Sequence, residues 1–329
     1  MTDISLADVD VFETELLCAA GDAALATIDD PVIDVETIDR GNRKRTAIAS
    51  FAERGPVVVQ VCEERTWLRT EAALLGKIRE RTFVPVPPVL AAGSHNGVAY
   101  MLTAFVAGAN LHERFTALDA ATRRELASWF GKALGRLHEA FEFDGYGRLA
   151  NPDESFTTGH GDWLSWFRQY GLQAVDRLPG AFDPVCDDLR ALFEDPSGEV
   201  APTARLFPWD FRPGNALVAD GSVTAVLDWE APLAAPPALS VAKSEYLVAD
   251  WYVDNSGPLR QAFRNGYTAV RPYPPVHPAH RAAAIAECAV DSAGVVTNPR
   301  YPPVGRAEAV AFHRDALLGV VSDDRTERG

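Results

Sequence analysis

The spacing of apolar positions changes repeatedly along the first hundred residues. "DVFETELLCAAGDAAL" places them on one face of a helix. "IDVETIDRGN" and "KRTAIASFA" read as two strands, joined by a turn containing Gly41-Asn42. "GPVVVQVCE" is a short continuous apolar run rich in β-branched residues, which predicts a buried strand. The helical period returns in "RTWLRTEAALLGKIRER", with Trp67, Leu68, Leu74, Leu75 and Ile78 facing inward. "VPVPPVLAAG" and "GVAYMLTAFVAG" then predict two further strands around a turn at "SHNG".

From about Leu111 the pattern becomes helical. "ALDAATRRELASWFGKALGRLHEAF" is a long amphipathic stretch that Asp119 can cap. "DWLSWFRQYGLQAVDRL" and "PVCDDLRALFED" predict two more helices. A hairpin follows, "NALVAD" and "VTAVLDW", turning at Asp220-Gly221. The rest reads as helices with Pro-rich connectors, and the tail "SDDRTERG" is expected to fray. Together these imply an α+β chain laid out as a two-lobed kinase. Residues 1–107 would form a small antiparallel-sheet lobe with one key helix, and 108–329 a larger, mainly helical lobe. The joint falls near "FVAGANL".

Composition narrows the setting. There is no apolar run of membrane length, and the first residues lack the basic start and apolar core of a signal peptide. A cytoplasmic protein with no membrane partner is expected. The four cysteines stand far apart with no CxxC pair, so buried free thiols are expected. The formal charge of -15 and the absence of a basic stripe argue against nucleic-acid binding. Only four of the 31 basic residues are lysine, namely Lys44, Lys77, Lys132 and Lys243. Such an acidic, lysine-poor surface suits a high-salt cytoplasm and points to a halophilic source. Nothing in the sequence sets the oligomeric state.

"WDFRPGN" places Asp210 and Asn215 five positions apart around Arg212 and a Pro-Gly turn. Asp228 ends the returning strand of the next hairpin, so the hairpin accounts for the spacing. Phosphoryl transfer needs a carboxylate for the acceptor hydroxyl, oxygen ligands for magnesium and a cation for the transferred charge. Asp210 suits the first task, Asn215 and Asp228 the second, and Arg212 the third.

"WDFRPGN…LDWE" resembles the catalytic loop and metal-binding segment of the aminoglycoside phosphotransferase family, the phosphotransferase enzymes related to protein kinases. "TEAALLGKI", "AYMLTAFVAGANL" and "GKALGRLHEAF" extend the resemblance over roughly residues 35 to 255. The acidic composition would make this a haloarchaeal-type member. The resemblance implies ATP and Mg2+ as cofactors and a small-molecule hydroxyl acceptor that is sugar-, aminoalcohol- or aminoglycoside-like. It implies that Glu71 positions groups at the phosphates, and that backbone around Phe105 and Ala107 binds adenine. Gly41 and Asn42 would form a glycine turn over the nucleotide.

Two departures stand out. Pro208-Trp209 replaces the usual His-Gly before the catalytic aspartate. Gln60 stands where the resemblance implies a phosphate-binding lysine, so either Lys44 from the "RGNRKR" turn takes over or magnesium does more. A nucleotide-binding protein with little turnover is the alternative. "GHGD" has the family letters, but Phe167 stands five residues after Asp162 and no hairpin follows. Asp162 therefore reads as a helix cap. His138 reads as a packing or hydrogen-bonding residue. Glu245, Asp250 and Asp254, with Tyr246, Trp251 and Tyr252, read first as a packing helix with a solvated acidic face, and second as the acceptor pocket.

Overall fold

The computed structural model describes residues 4–7, 11–38, 43–153, 155–194 and 202–328. Gly41 and Asn42 lie outside the described residues. The chain divides into two compact units. The first is Met1–Gly108 with Leu149–Thr157 and Leu217–Pro232; the second is Ala109–Arg148, Thr158–Ala216 and Leu233–Gly329.

The first unit opens with helix α1 (Glu15–Leu25), capped by the Thr14 side chain on the Leu17 amide. Strands β1 (Val32–Ile38), β2 (Arg45–Phe51) and β3 (Val57–Cys62) follow, then helix α2 (Arg65–Arg81) and strands β4 (Val89–His95) and β5 (Val98–Ala104). The strands form an antiparallel sheet ordered β1-β2-β3-β5-β4. Because strand side chains alternate, Val57, Val59 and Val61 share one face, in a core with Leu17, Leu25 and Leu102. All three valines are fully buried, each stabilising by roughly 1.5–3 kcal/mol. Val58, Gln60 and Cys62 take the other face.

Helix α2 has its expected bounds. Its buried stripe runs Leu68, Glu71, Leu75 and Ile78, three and four residues apart. Glu71 thus takes a position that helical spacing reserves for an apolar residue. A carboxylate buried there requires a cationic partner.

The second unit holds β6 (Ala109–Asn110), α3 (Leu111–Arg114), α4 (Ala120–Ala140), β7 (Glu142–Phe143), β8 (Gly147–Arg148), α5 (Trp163–Asp176), α6 (Asp183–Glu194) and β9 (Ala204–Phe207). The hairpin of β10 (Ala216–Ala219) and β11 (Ser222–Val226) belongs, from Leu217 on, to the first unit; β12 (Leu233–Ala235) follows it in the second. Helices α7 (Pro237–Glu245), α8 (Gly257–Thr268), α9 (Pro278–Ala289) and α10 (Arg306–Arg328) complete the chain, with one π-helical turn at Tyr246–Asp250. The tail expected to fray forms the last turns of α10 as far as Arg328. A small sheet ordered β7-β9-β12-β8, too short to leave a periodic signal, was not anticipated from sequence.

Helices α4 and α8 cross at two glycines. A Cβ on Gly131 would lie 1.9 Å from the Phe263 carbonyl oxygen, and one on Gly266 would lie 1.9 Å from that of Ser128. The two backbones touch there, and no side chain fits between them.

Candidate active site

The acidic hairpin is fixed within the first unit. Asp220 and Gly221 both have positive φ, 50° and 75°, as a two-residue type I′ turn demands. The Thr224 hydroxyl donates to the Ala107 carbonyl at 3.2 Å, and the Val226 amide donates to the Pro85 carbonyl at 2.8 Å. Beyond β11 the buried Trp229 indole N–H donates to the Val226 carbonyl. Asp228, between them, takes a left-handed backbone (φ 61°), which aspartate tolerates better than most residues.

Lys44, directly before β2, brings the cluster together. Its Nζ lies 2.9 and 3.1 Å from the two carboxylate oxygens of Glu71, and 3.5 Å from a carboxylate oxygen of each of Asp228 and Glu230. Lys44 and Glu71 side chains are only 11% and 5% exposed, whereas that of Asp228 is 41% exposed. Burial opposes the Lys44 charge, but the carboxylates of Glu71, Asp228 and Glu230 outweigh it and push its pKa up. Burial foremost, and then the neighbouring carboxylates against the pull of Lys44, raises Glu230 above the usual carboxylate range. Arg43 approaches Glu230 at 3.8 Å and lies over the Trp67 ring at 4.8 Å.

Of the alternatives open for the departure at Gln60, the geometry pairs Lys44 with Glu71. The partner of Glu71 is Lys44, and not Gln60. Gln60 pairs with Thr46 across β2 and β3, so Lys44 projects past the end of the same sheet face. Glu230 is a member of the cluster that sequence reading passed over; its only signal was its place two residues after Asp228. Three carboxylates face the two cations Arg43 and Lys44. The carboxylates exceed the cations by one negative charge, and among the described residues no group of three or more His, Cys, Asp or Glu side chains is arranged to hold a metal ion.

The residues of the expected catalytic loop, Asp210 to Asn215, sit in the second unit. Phe211 is fully buried, edge-on to Phe130 of α4, with ring centroids 5.3 Å apart. That anchor leaves Asp210 and Arg212 on either side of it half-exposed, 3.4 Å apart between carboxylate and guanidinium. The Asn215 amide donates to the Asp210 backbone carbonyl at 2.9 Å, closing the loop and leaving Oδ1 as the metal-capable end of the side chain. Arg212 also lies over the Trp251 ring at 5.4 Å. Tyr252, with φ 74°, bonds the His112 ring at 2.9 Å, and burial pushes its phenol up to about 12.

At the proposed adenine segment the Phe105 amide already donates to the Pro56 carbonyl at 3.2 Å, and the Ala107 carbonyl accepts from Thr224. Asp162 caps α5 through the Ser165 amide at 2.8 Å. His138 is fully buried between the hydroxyls of Tyr267 and Ser240, at 2.7 and 2.6 Å. All four cysteines are free and buried. No described helix is long and apolar enough to cross a membrane.

Of the acidic residues from the end of α7 onward, Asp254 is solvated as expected, whereas Glu245 and Asp250 are not. Glu245 is buried and takes both Arg264 nitrogens, Arg281 and the Tyr273 hydroxyl. Asp250 takes Arg260 in a two-pronged pair, and Asp254 takes Arg300. A cavity of about 430 Å³ beside the π-helical turn is lined by Tyr246, Asp250 and the same three arginines, 260, 264 and 281.

No curated protein matches the chain by sequence. Solved structures resemble it in fold. One is a thermostable variant of the aminoglycoside phosphotransferase APH(4)-Ia with ADP and hygromycin B; it is 16% identical, with TM-score 0.61, covering 92% of this chain and 97% of that one. The macrolide 2'-phosphotransferase MphH of Brachybacterium faecium is 17% identical, with TM-score 0.56 and coverage of 91% and 96%. The fold is accordingly the kinase-like α+β fold of these proteins. The model of the phosphotransferase enzyme family matches residues 34–282. That match is well over half of the 329 residues and takes in both clusters, from Lys44 to Asp228, so the chain belongs to the phosphotransferase enzyme family.

Proposed function

We propose that this small-molecule phosphotransferase transfers the γ-phosphoryl group of ATP to a hydroxyl of a sugar-, aminoalcohol- or aminoglycoside-like acceptor. The observation that carries this reading is Lys44, locked onto Glu71 with Asp228 at 3.5 Å. A lysine held by a helix carboxylate offers a fixed positive charge to the nucleotide phosphates, a part of the phosphoryl-transfer apparatus. Lys44 takes that part, and Gln60 adds at most a neutral hydrogen bond. The reading of a catalytically weak protein rested on the missing lysine and loses its main support.

Asp210 orients the acceptor hydroxyl and takes its proton as the oxygen attacks the γ-phosphorus and the bond to the bridging oxygen breaks. Arg212 offsets charge on the transferred group. Asn215 and Asp228 supply the oxygens for magnesium, which would neutralise phosphate charge. With the Phe105 amide and Ala107 carbonyl taken, the Phe105 carbonyl and the Ala107 amide are the groups assigned to adenine. The ADP and hygromycin B complex of APH(4)-Ia supports a nucleotide donor and a small-molecule acceptor.

The test is ADP formation from magnesium-ATP against a panel of sugars, aminoalcohols and aminoglycosides, for wild type and Asp210→Asn. Acceptor-dependent turnover in the wild type, lost in the variant, is expected. Equal rates for the two proteins on every acceptor would refute the assignment.

A further inference from the structure

Lys243 is the one described lysine buried to 2% exposure, and among the described residues its ammonium makes no ion pair. An unpaired buried ammonium is costly, and an apolar side chain would fill the same space without desolvation. What Lys243 does meet is an aromatic face. Its Nζ stands 3.7 Å from the centroid of the Trp209 ring, with the Phe207 ring 5.9 Å away on β9. That places the charge against the negative face of an indole, the strongest of the side-chain π partners.

Trp209 directly precedes Asp210, at the position where the family tripeptide has glycine. A half-exposed indole at such a position needs something to hold it. Lys243 grips one side, and Tyr170 meets the ring at 90°, with centroids 6.1 Å apart. The Tyr170 hydroxyl is buried without a hydrogen-bond partner, so the ring, and not the hydroxyl, makes this contact useful. On the far side of the aspartate, Asn215 holds the Asp210 carbonyl. The Asp210 backbone is therefore fixed before and after its side chain.

We propose that Lys243 is a positioning residue for Asp210, acting through the ring of Trp209. The proposal rests on the assignment of Asp210 above. Buried to 2% exposure against the Trp209 ring, Lys243 acts through that ring and fixes the direction in which the aspartate leaves the loop. A small displacement of a catalytic group is enough to slow a reaction strongly.

The experiment uses the full chain with magnesium-ATP and water as acceptor, together with hydrogen exchange of the segment 207–214. Lys243→Met should lower kcat about 10-fold or more while leaving the KM for ATP within about twofold. Exchange in 207–214 should quicken while helices α4 and α8 keep their protection. Lys243→Arg should restore both. Trp209→Leu should cost a similar factor, and the double variant should be no slower than Trp209→Leu alone, since the two act as one unit. Wild-type kcat with unchanged exchange in Lys243→Met overturns the proposal. So do losses that multiply in the double variant, or a loss of protection spread over the whole second unit. Should wild type and Asp210→Ala release phosphate equally, the assignment of Asp210 fails; the exchange of 207–214 still decides whether Lys243 holds the loop.

Discussion

Lys44 and Glu71, twenty-seven positions apart, share two hydrogen bonds of 2.9 and 3.1 Å in a nearly buried pair. Charge-assisted bonds of this kind are worth about 1.5–3 kcal/mol each. Lys44→Met and Glu71→Gln should both raise the KM for ATP, by about 10- to 100-fold. Gln60→Ala should change it by about 2-fold and at most about 12-fold, since a neutral hydrogen bond contributes only about 0.5–1.5 kcal/mol. Steady-state kinetics at saturating acceptor read all three, and a larger effect at Gln60 than at Lys44 would reverse the assignment.

Removing the Asp210 carboxylate should separate binding from chemistry. Asp210→Ala should lose on the order of 10²–10⁴-fold in kcat, the usual contribution of a general base. Calorimetric ATP affinity should stay close to wild type, because Lys44 and Glu71 are untouched. A variant that loses ATP binding to the same extent would point to collapse of the loop.

Glu245 and Arg264 form the most heavily hydrogen-bonded ion pair of the second unit, with Arg281 and Tyr273 on the same carboxylate. Breaking such a pair from one side strands buried charge at a cost of about 3–5 kcal/mol. Arg264→Ala, which removes two hydrogen bonds from the buried Glu245 carboxylate, should therefore lower the urea midpoint substantially. Arg260→Ala, whose guanidinium is more exposed, should cost less.

Acid should weaken the second unit through its buried histidines. Burial holds His313 down at about 4, and burial with neighbouring His277 and Arg281 holds His280 at about 3. Both are depressed below the ordinary value of 6.5, so the stability of the neutral forms is complete above 6.5 and lost as pH falls towards 4. Each histidine should steepen the decline by about 1.4 kcal/mol per pH unit within that window. His313→Gln should flatten the curve of unfolding free energy against pH between 6.5 and 4, relative to wild type. Parallel curves would count against a buried neutral His313.

Much of this was legible in the sequence where local rules decide. Helix α2 was read at its observed bounds, because an apolar stripe needs no knowledge of what covers it. The Asp220-Gly221 turn was readable because two positive φ values in a row favour those residues. The partner of Glu71 was not settled, because strand register decides which residue of a neighbouring strand reaches a helix. Thr46, opposite Gln60, is only one step of that register, and Lys44 lies beyond it. Glu245 and Asp250 looked solvated because their arginines come ten or more positions later and fold back from α8 and α9. Nothing local in the sequence singled out Lys243. Its aromatic partners lie more than thirty positions earlier.

The crossing of α4 and α8 bears on how such a chain can change. Where Gly131 and Gly266 press main chain to main chain, the spacing of the helices does not depend on the size of the surrounding side chains. Phe130, one residue from that contact, is therefore held in place beneath Phe211 and the catalytic loop. Residues elsewhere on the two helices are free to diverge without shifting Asp210. The joint consists of backbone alone, so it holds whichever side chains surround it.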